Sequence, residues 1–349
     1  MFLRSIASAF PEQSYTQAEC AELARLSPLA NESLSATSRN LLETILAGDS
    51  GISKRHFAVE DLAGVFDLGA GELNRAFERH APALASQALA EALERAGSPA
   101  DELDAVFVCT CTGYLCPGVS SYLAERLGLR PDTVLQDLVG LGCGAAIPTL
   151  RSASHFLSAH PTATVGVVAV EICSTAFFLS NDPGVLISLC LFGDGASASV
   201  WSGKEGGDPL LHCYGFRSRH CPEEREKIRF VNEAGKLKNK LHRSVPSIAA
   251  GAVAQMHAEA PTPGDPSLPT RCITHSGGRD VITEIRKQLP QYDLAETAYA
   301  LDQFGNLSSP SVLVALEHYL SDTRPAVAEN LFLASFGAGF SCHTCWAET

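Results

Sequence analysis

The stretch Val134-Leu-Gln-Asp-Leu-Val-Gly-Leu-Gly-Cys143-Gly-Ala-Ala-Ile-Pro148-Thr-Leu150 carries most of the information about how the chain folds. Its first part is apolar and typical of a strand, Gly140 and Gly142 interrupt it, and small residues then begin a helix. Pro148 fits only the first turn of that helix, where its missing N–H is not needed. The pattern therefore predicts that Cys143 lies on a tight turn from a strand into a helix.

Cys143 is a candidate nucleophile because of its place at that turn. The unpaired N–H groups and the dipole of a helix N-terminus favour the thiolate, which is the nucleophilic form of cysteine. Gly142 and Gly144 keep side chains away from the sulfur, so a substrate carbonyl can approach it. The simpler interpretation is that Cys143 is one buried cysteine among twelve, since buried cysteines usually act as small hydrophobic residues.

Composition limits the classes of protein to which the chain can belong. Its 349 residues are 46% hydrophobic and 19% charged, which favours one large domain or two packed ones with an extensive core. The formal net charge of −13 argues against binding to nucleic acid or anionic membranes, since both need a basic surface. The polar, glycine-rich residues 202–209 predict a division into two halves, 1–205 and 206–349.

The chain shows no pattern typical of export, membrane insertion or metal binding. The apolar run in residues 1–10 is too short for a signal peptide, and the apolar stretch 163–179 carries Glu171 and is too short for a membrane span. The spacing of the cysteines predicts reduced thiols in a cytoplasmic protein. Cys342-His-Thr-Cys345 has metal-like spacing, but on a strand the two cysteines point to opposite faces, so no metal site is predicted.

Strands and helices alternate along the chain, which predicts a layered α/β fold. Residues 82–97 predict a helix that begins at its proline and ends at Gly97. In the second half, proline-rich residues 260–266 predict a loop. A short strand then runs into His275-Ser-Gly-Gly278, and Gly305-Asn306-Leu-Ser-Ser-Pro310 precedes another apolar helix. Taken singly, His275 is interpreted as a capping or core histidine and Asn306 as a turn residue.

Five motifs, taken together, have the order and rough spacing found in one family. They are Gly-Cys143-Gly, Phe192-Gly-Asp-Gly-Ala, His275-Ser-Gly-Gly, Gly-Asn306-Leu-Ser-Ser and Phe336-Gly-Ala-Gly. With them, nearly the whole chain resembles the type III polyketide synthases, the chalcone synthase-like family, in its bacterial form. The resemblance implies a thiolase-like α/β fold, with two similar halves packed as five layers (αβαβα), and a homodimer.

The resemblance also implies a reaction and the residues that perform it. Cys143 would hold the growing acyl chain as a thioester, and His275 and Asn306 would complete the catalytic triad. The substrates would be an acyl-CoA starter and malonyl-CoA, whose decarboxylation supplies the carbon nucleophile. The family needs no metal and no further cofactor for this reaction.

Further residues match positions where the family binds its substrates. Phe192 matches the gatekeeping phenylalanine between the entry tunnel and the cavity, and Cys116 lies in a loop that reaches the neighbouring subunit's cavity. The remaining matches concern coenzyme A phosphates (Lys54 and Arg55), the pantetheine tunnel (Gly277 and Gly278), the cavity wall (Cys111, Cys173 and Ala176) and the substrate site beside Asn306 (Ser308).

Three departures from the family pattern bear on the product. The family's Gly-Phe-Gly-Pro-Gly is Ser335-Phe-Gly-Ala-Gly339 here, and Pro often follows the family histidine where Ser276 stands. No aromatic residue within 236–241 matches the family's second gatekeeper, which predicts a wider cavity mouth. The small residues Cys111, Cys173 and Ala176 resemble those of bacterial members that use fatty-acyl starters or add several malonyl units. This resemblance favours alkylpyrone or alkylresorcinol-type products.

Other functions use part of the same pattern. A β-ketoacyl carrier-protein synthase III shares the Cys, His and Asn set but performs one condensation on malonyl held by acyl carrier protein. A thiolase would need a second catalytic cysteine near the terminal glycine-rich loop. A cysteine hydrolase would cleave acyl-CoA without forming a carbon–carbon bond, and a non-catalytic subunit would have no need of the intact triad.

Overall fold

The computed structural model describes residues 1–204, 209–259, 269–323 and 328–349. The predicted boundary between residues 205 and 206 and the predicted loop 260–266 lie outside the described residues. The strands are β1 (Phe2–Ala9), β2 (Ser14–Thr16), β3 (Lys54–His56), β4 (Ala105–Cys109), β5 (Val134–Leu138), β6 (Thr164–Glu171), β7 (Gly195–Ser202), β8 (Leu211–His220), β9 (Ile228–Glu233), β10 (Lys236–Leu241), β11 (Arg271–Thr274), β12 (Asn330–Gly337) and β13 (Ser341–Glu348).

The helices are α1 (Gln17–Leu26), α2 (Pro28–Ser33), α3 (Ala36–Ala47), α4 (Ala70–Ala96), α5 (Val119–Leu127), α6 (Ala146–Ala159), α7 (Pro183–Leu191), α8 (Val245–Ala258), α9 (Arg279–Gln288), α10 (Ala295–Phe304) and α11 (Ser311–His318). No helix in the described ranges is both long and apolar enough to cross a membrane.

The main sheet consists of two half sheets with the same internal order. Its strand order is β11-β12-β13-β8-β1-β7-β6-β4-β5. In the first half sheet, β1 pairs antiparallel with β7, β7 antiparallel with β6, and β6 parallel with β4. The second half sheet repeats this pattern: β8 pairs antiparallel with β13, β13 antiparallel with β12, and β12 parallel with β11. The half sheets are joined where β1 pairs with β8, Phe2 opposite His212 and Leu3 opposite Leu211.

Helices cover the half sheets on three levels and so produce the five layers of the thiolase-like fold. Helix α4 packs on β1, β6 and β7, and α8 packs on β12 and β13. Between them, α6 and α11 each contact strands of both half sheets. The central core contains residues of both helices and both half sheets, including the fully buried Leu150 and Leu313. The predicted α/β class and five-layer fold are therefore confirmed.

One predicted helix boundary is wrong. Helix α4 begins at Ala70 and contains Pro82 in its interior, although it ends at Gly97 as predicted. The buried residues Leu73 and Phe77 extend the apolar face of the helix ahead of the proline. A proline removes one backbone hydrogen bond, and packing of a long apolar face against the sheet outweighs that local penalty.

Candidate active site

The predicted turn from strand to helix at Cys143 is confirmed. A 3₁₀ turn, Gly142–Gly144, separates β5 from α6, and Cys143 is buried within it. Gly142 has φ +57°, and a Cβ placed there would lie 2.8 Å from the Cβ of Ala338. Glycine is therefore required at this position, both for the left-handed backbone and for the close approach of the terminal glycine-rich loop.

Ser308 contacts the sulfur of Cys143. Its hydroxyl donates to Cys143 Sγ at 3.1 Å and also lies 3.3 Å from Glu171 Oε1. Ser308 has φ +61°, an uncommon conformation for a residue with a side chain. Such backbone strain persists where the surrounding structure holds the residue in place. The serine is thus the link between the nucleophile and a buried carboxylate.

Glu171 belongs to the surroundings of Cys143, and the sequence interpretation missed it. It is fully buried at the end of β6, and the donors to its carboxylate among the described residues are hydroxyl, thiol and backbone N–H groups. The strongest of these hydrogen bonds come from Ser309 Oγ (2.6 Å), Thr112 Oγ1 (2.8 Å) and the N–H of Cys111 (2.9 Å). Buried carboxylates need such partners to offset the loss of water. The only sequence signal was a single acidic residue ending an otherwise apolar strand.

His275 follows β11 on the predicted turn and is 2% exposed. Its backbone N–H donates to the carbonyl of Ala334 (2.8 Å), and its ring packs edge-on against Phe336 at 5.0 Å between centroids. The ring nitrogen Nδ1 has no hydrogen-bond partner among the described residues. A buried nitrogen without a partner is costly, and in the neutral ring Nδ1 can accept a hydrogen from a bound group.

Asn306 is held in one orientation by its neighbours. Its Oδ1 accepts from the backbone N–H of Ser308 at 2.8 Å, and its Nδ2 donates to the carbonyl of Gly277 at 3.3 Å. Its backbone pairs with that of Phe192 in an isolated β-bridge. The amide oxygen of Asn306 therefore already has a donor, and the side chain is available to a bound group as a hydrogen-bond donor through Nδ2.

Cys143, His275 and Asn306 line one small chamber of about 40 Å³, together with Phe192 and Phe230. Two larger cavities adjoin the chamber. A cavity of about 520 Å³ shares Gly277 with it, and Gly278 also lines that cavity. A cavity of about 660 Å³ on the other side is lined by Cys111. The structure thus brings together the three predicted catalytic residues and leaves two routes from them.

Three other predicted binding residues do not line the chamber. Cys173 and Ala176 line a cavity of about 20 Å³ that Phe192 and Ser308 also border. Cys116 is exposed and lines none of these four cavities within its own chain.

The two predicted phosphate-binding cations, Lys54 and Arg55, differ in how deeply they are buried. Lys54 is half-buried on β3. Arg55 is 2% exposed, and its guanidinium donates to the carbonyls of Leu189 (2.7 Å) and Phe192 (2.9 Å) and to Gln17 Oε1 (3.0 Å). These contacts do not fit the predicted phosphate contact of Arg55. The arginine instead anchors the segment that carries Phe192.

The electrostatics of the chamber favour neutral catalytic groups. Burial raises the pKa of Cys143 to about 12, against the hydrogen bond from Ser308, and the Glu171 carboxylate adds to the rise. Burial likewise lowers the pKa of His275 to about 3, against a hydrogen bond with the Ser308 carbonyl. The helix N-terminus predicted to favour a thiolate does not outweigh burial. Burial thus favours the thiol form of Cys143 and the neutral form of the His275 imidazole.

Comparison with known proteins decides the family. Residues 3–205 match the family described as chalcone and stilbene synthases, N-terminal domain. The chain belongs to this family of type III polyketide synthases. Residues 267–348 match the C-terminal region of 3-oxoacyl-[acyl-carrier-protein] synthase III. Members of the family are acyl-condensing transferases, so the predicted enzyme class is confirmed.

Individual relatives are moderately similar along most of the chain. A 1,3,6,8-tetrahydroxynaphthalene synthase of Streptomyces peucetius subsp. caesius is 28% identical, over 96% of this chain and 90% of the relative. A 3,5-dihydroxyphenylacetyl-CoA synthase of Streptomyces toyocaensis is 28% identical, over 80% of this chain and 74% of the relative. An alpha-pyrone synthesis polyketide synthase-like protein of Mycobacterium tuberculosis (strain H37Rv) is 28% identical, over 83% of this chain and 78% of the relative.

Solved structures share the fold. The tetrahydroxynaphthalene synthase of Streptomyces coelicolor superposes with a TM-score of 0.86 at 24% identity, covering 99% of both chains. A polyketide synthase of the brown alga Ectocarpus siliculosus superposes with a TM-score of 0.87 at 21% identity, covering 100% of this chain and 98% of the other. At these identities the likeness supports the thiolase-like fold alone.

We expect substitutions at Ser308 and Glu171 to change the reactivity of Cys143 in opposite directions. Because the pKa of Cys143 is raised, its thiolate fraction increases about tenfold per pH unit between about pH 7 and 9. Ser308→Ala removes a hydrogen bond that stabilises the thiolate, so iodoacetamide should alkylate Cys143 about fivefold more slowly. Glu171→Gln removes a negative charge, lowers the thiol pKa and should speed alkylation.

Peptide mass spectrometry over that pH range measures the alkylation rate of Cys143 itself. Ser158→Ala is the matched control, since this exposed hydroxyl lies on α6 and bonds only the Ser154 carbonyl in the described structure. Its rate should equal that of the wild type. Rate changes of the same sign in Ser308→Ala and Glu171→Gln, in proteins with unchanged thermal unfolding, would contradict the electrostatic account.

Proposed function

We propose that the protein condenses malonyl-CoA units, more than once, onto an acyl group held on Cys143. Cyclisation then releases alkylpyrone or alkylresorcinol-type products, or other small phenolic ones. The observation that supports this proposal is the small chamber in which Cys143, His275 and Asn306 meet between two larger cavities. The relatives named above for tetrahydroxynaphthalene, dihydroxyphenylacetyl-CoA and alpha-pyrone synthesis agree with iterative condensation.

The first step loads the starter. Cys143 attacks the carbonyl of the acyl-CoA, and His275 receives the thiol proton as the carbon–sulfur bond forms. The bond from the acyl carbon to coenzyme A then breaks, and the departing sulfur takes the proton from His275. This order requires substrate in the chamber, because the thiol and imidazole are both neutral before it binds.

The second step makes the carbon nucleophile. Loss of CO2 from malonyl-CoA leaves its electron pair on the α-carbon and places negative charge on the thioester oxygen. Asn306 Nδ2 and a ring N–H of His275 would donate to that oxygen, in a narrow chamber with a mainly apolar wall where such bonds are strong. The fixed orientation of the Asn306 amide means that its donor needs little reorganisation.

The third step joins the two units. The enolate carbon attacks the acyl carbonyl on Cys143, a carbon–carbon bond forms, and the Cys143 sulfur leaves as a thiolate. The resulting β-ketoacyl-CoA is longer by two carbons. The Cys143 thiolate can attack its carbonyl again, and the departing coenzyme A sulfur then takes up a proton from solvent. Repeated cycles need space for the chain, and the cavity of about 660 Å³ beside the chamber provides it.

Coenzyme A would reach the chamber through the cavity of about 520 Å³. Gly277 and Gly278 line this cavity and allow a narrow pantetheine arm to pass, as predicted from the family. Arg243 and Arg279 also line it and were not expected from the sequence. Arg279 is paired with Asp49, whereas Arg243 is exposed. Its place in this cavity leads us to assign Arg243 to the coenzyme A phosphates in place of Arg55. Lys54 does not line the cavity, and its phosphate contact is proposed from the family pattern alone.

A single condensation is the second candidate function. The match of residues 267–348 to the C-terminal region of 3-oxoacyl-[acyl-carrier-protein] synthase III favours it, since that class uses the same three catalytic residue types. The two functions differ in their malonyl donor and in the number of units added. Product mass distinguishes them directly.

The decisive test uses pure protein, labelled malonyl-CoA and a set of short, aromatic and long-chain acyl-CoA starters. We expect products extended by two or more ketide units, and Cys143→Ala should form no acyl-enzyme and no product. Asn306→Ala should load starter at nearly the wild-type rate. It should lose decarboxylation by about 100-fold or more, the typical effect of removing one oxyanion donor.

Separate readouts keep these assignments distinct. Intact-protein mass spectrometry measures loading, and released labelled CO2 measures decarboxylation. Equal losses in both steps would remove Asn306 from its proposed role. A single condensation that appears only when malonyl is supplied on acyl carrier protein would favour the synthase III alternative.

The coenzyme A assignment predicts a defect in binding. Arg243→Ala and Lys54→Ala should each raise the KM for acyl-CoA about 2- to 5-fold with little change in kcat, because a solvent-exposed ionic contact contributes about 0.2–1 kcal/mol. Lys240→Ala is the matched control, since Lys240 is exposed on β10 and lines none of the cavities described above. A loss of kcat alone would contradict a phosphate contact.

We further propose that the protein is a homodimer joined at the edge of its main sheet. Strand β5 is the outermost strand of the first half sheet, and apolar side chains on and near it are exposed: Tyr114 (69%), Val139 (54%), Val134 (44%) and Leu135 (38%). An exposed apolar sheet edge usually requires cover. A second copy would supply it and bring Cys116 towards the neighbouring cavity.

Sedimentation equilibrium tests the dimer. The wild type should have about twice the chain mass of 37.0 kDa. Val139→Lys places a charge within the proposed interface and should shift the protein towards monomer. Leu26→Lys is the control, because Leu26 is as exposed (66%) but lies on α1. A monomeric wild type, or equal effects of the two substitutions, would refute this interface.

A further inference from the structure

Three cavities meet beside Cys143. They are the catalytic chamber of about 40 Å³, the large cavity of about 660 Å³ and the small cavity of about 20 Å³ next to Cys173. Within the described part of the chain, Phe230 is the only residue that lines all three. Phe192, the predicted gatekeeper, lines the chamber and the small cavity only.

The wall between the chamber and the large cavity contains one large apolar side chain. The residues that line both spaces are Gly142, Arg229, Phe230 and Ala338. Gly142 and Ala338 are small and already in close contact with each other. Arg229 pairs with Glu226 at 2.6 Å, and successive residues of a strand point to opposite faces. Closure of this wall therefore depends on the Phe230 ring.

The strand that carries Phe230 is firmly attached. Strands β9 and β10 form a two-stranded hairpin in which Phe230 lies directly opposite Asn239. Asn239 is buried and donates to Ser188 Oγ at 2.7 Å, which ties the hairpin to α7. At the other end, the N–H of Gly339 donates to the carbonyl of Ile228 at 3.1 Å. The backbone at Phe230 is thereby held on both sides, and the ring has little freedom to withdraw.

The hairpin register explains why an aromatic side chain is present here although residues 236–241 contain none. Side chains directly opposite each other in an antiparallel pair share one face. Asn239 lines the same chamber and the same small cavity as Phe230. The aromatic side chain on this face thus comes from β9, whereas β10 contributes a small polar residue.

We propose that Phe230 is the gate that sets how far an acyl chain can grow from Cys143, and hence the number of ketide units and the starter length that the protein accepts. This inference rests on the proposed condensing function. An acyl chain on Cys143 must pass Phe230 to enter the large cavity, whose wall includes the apolar residues Leu73, Phe77, Val139 and Leu237. A bulkier side chain at 230 shortens the available path, and a smaller one joins the two spaces.

The test compares Phe230→Ala with Phe230→Trp, using hexanoyl-CoA or dodecanoyl-CoA as starter and labelled malonyl-CoA as extender. With hexanoyl-CoA, Phe230→Ala should shift the products to chains longer by one or more ketide units, and Phe230→Trp to shorter chains. The ratio of kcat/KM for dodecanoyl-CoA over hexanoyl-CoA should rise about tenfold in Phe230→Ala and fall in Phe230→Trp, the scale on which a pocket discriminates apolar chain length.

Val231→Ala is the matched control, since Val231 is the next residue on the same strand and points to the opposite face. It should leave the product distribution unchanged. Phe230→Leu, which keeps an apolar side chain of intermediate size, should give an intermediate distribution even if Phe230→Ala proves unstable in thermal unfolding.

The outcomes separate this inference from the proposed function. A wild type that makes no Cys143-dependent extended product refutes the condensing function. A wild type that makes such products, with the same distribution in Phe230→Leu and Phe230→Trp, refutes the gate alone. Shifts in the same direction for the larger and the smaller side chain would also overturn it.

Discussion

The packing of α6 and α11 between the two half sheets is the constraint on which the active site depends. Each helix contacts strands of both halves, and residues such as Leu150 and Leu313 are fully buried there. The segments that precede these helices carry Cys143 and Asn306. Dense packing around both helices therefore fixes the distance between catalytic groups from different halves, which matters because small displacements of reacting groups can slow catalysis greatly.

A buried carboxylate beside the nucleophile shapes the reactivity of the site. Glu171 is bonded by hydroxyls and backbone N–H groups rather than by a cation, and Ser308 links it to Cys143. Its charge opposes formation of the thiolate, as does burial of the sulfur. Burial thus favours the protonated form of Cys143, and we expect substrate binding to supply the interactions that activate it.

Both halves of the chain contribute residues to the cavities in which the proposed reaction would occur. The first half contributes Cys143 and much of the wall of the large cavity, and the second half contributes His275, Asn306 and the hairpin that carries Phe230. The buried Arg55 stabilises the segment that carries Phe192, since its guanidinium donates to the carbonyls of Leu189 and Phe192. Specificity and chemistry therefore rest on contacts across the whole fold rather than on one loop.

Local sequence was enough to predict the turn at Cys143, the turn at His275 and the alternation of strands and helices, because glycines, prolines and apolar runs act within a few residues. The family pattern then predicted a catalytic triad of Cys143, His275 and Asn306. Glu171, the inward-facing Arg55 and the gate at Phe230 could not be predicted in this way. Ser308 and Cys143 are 165 residues apart, and Ser308 and Glu171 are 137 apart. Contacts over such separations, like the register that sets Phe230 opposite Asn239, arise only when the layers pack together.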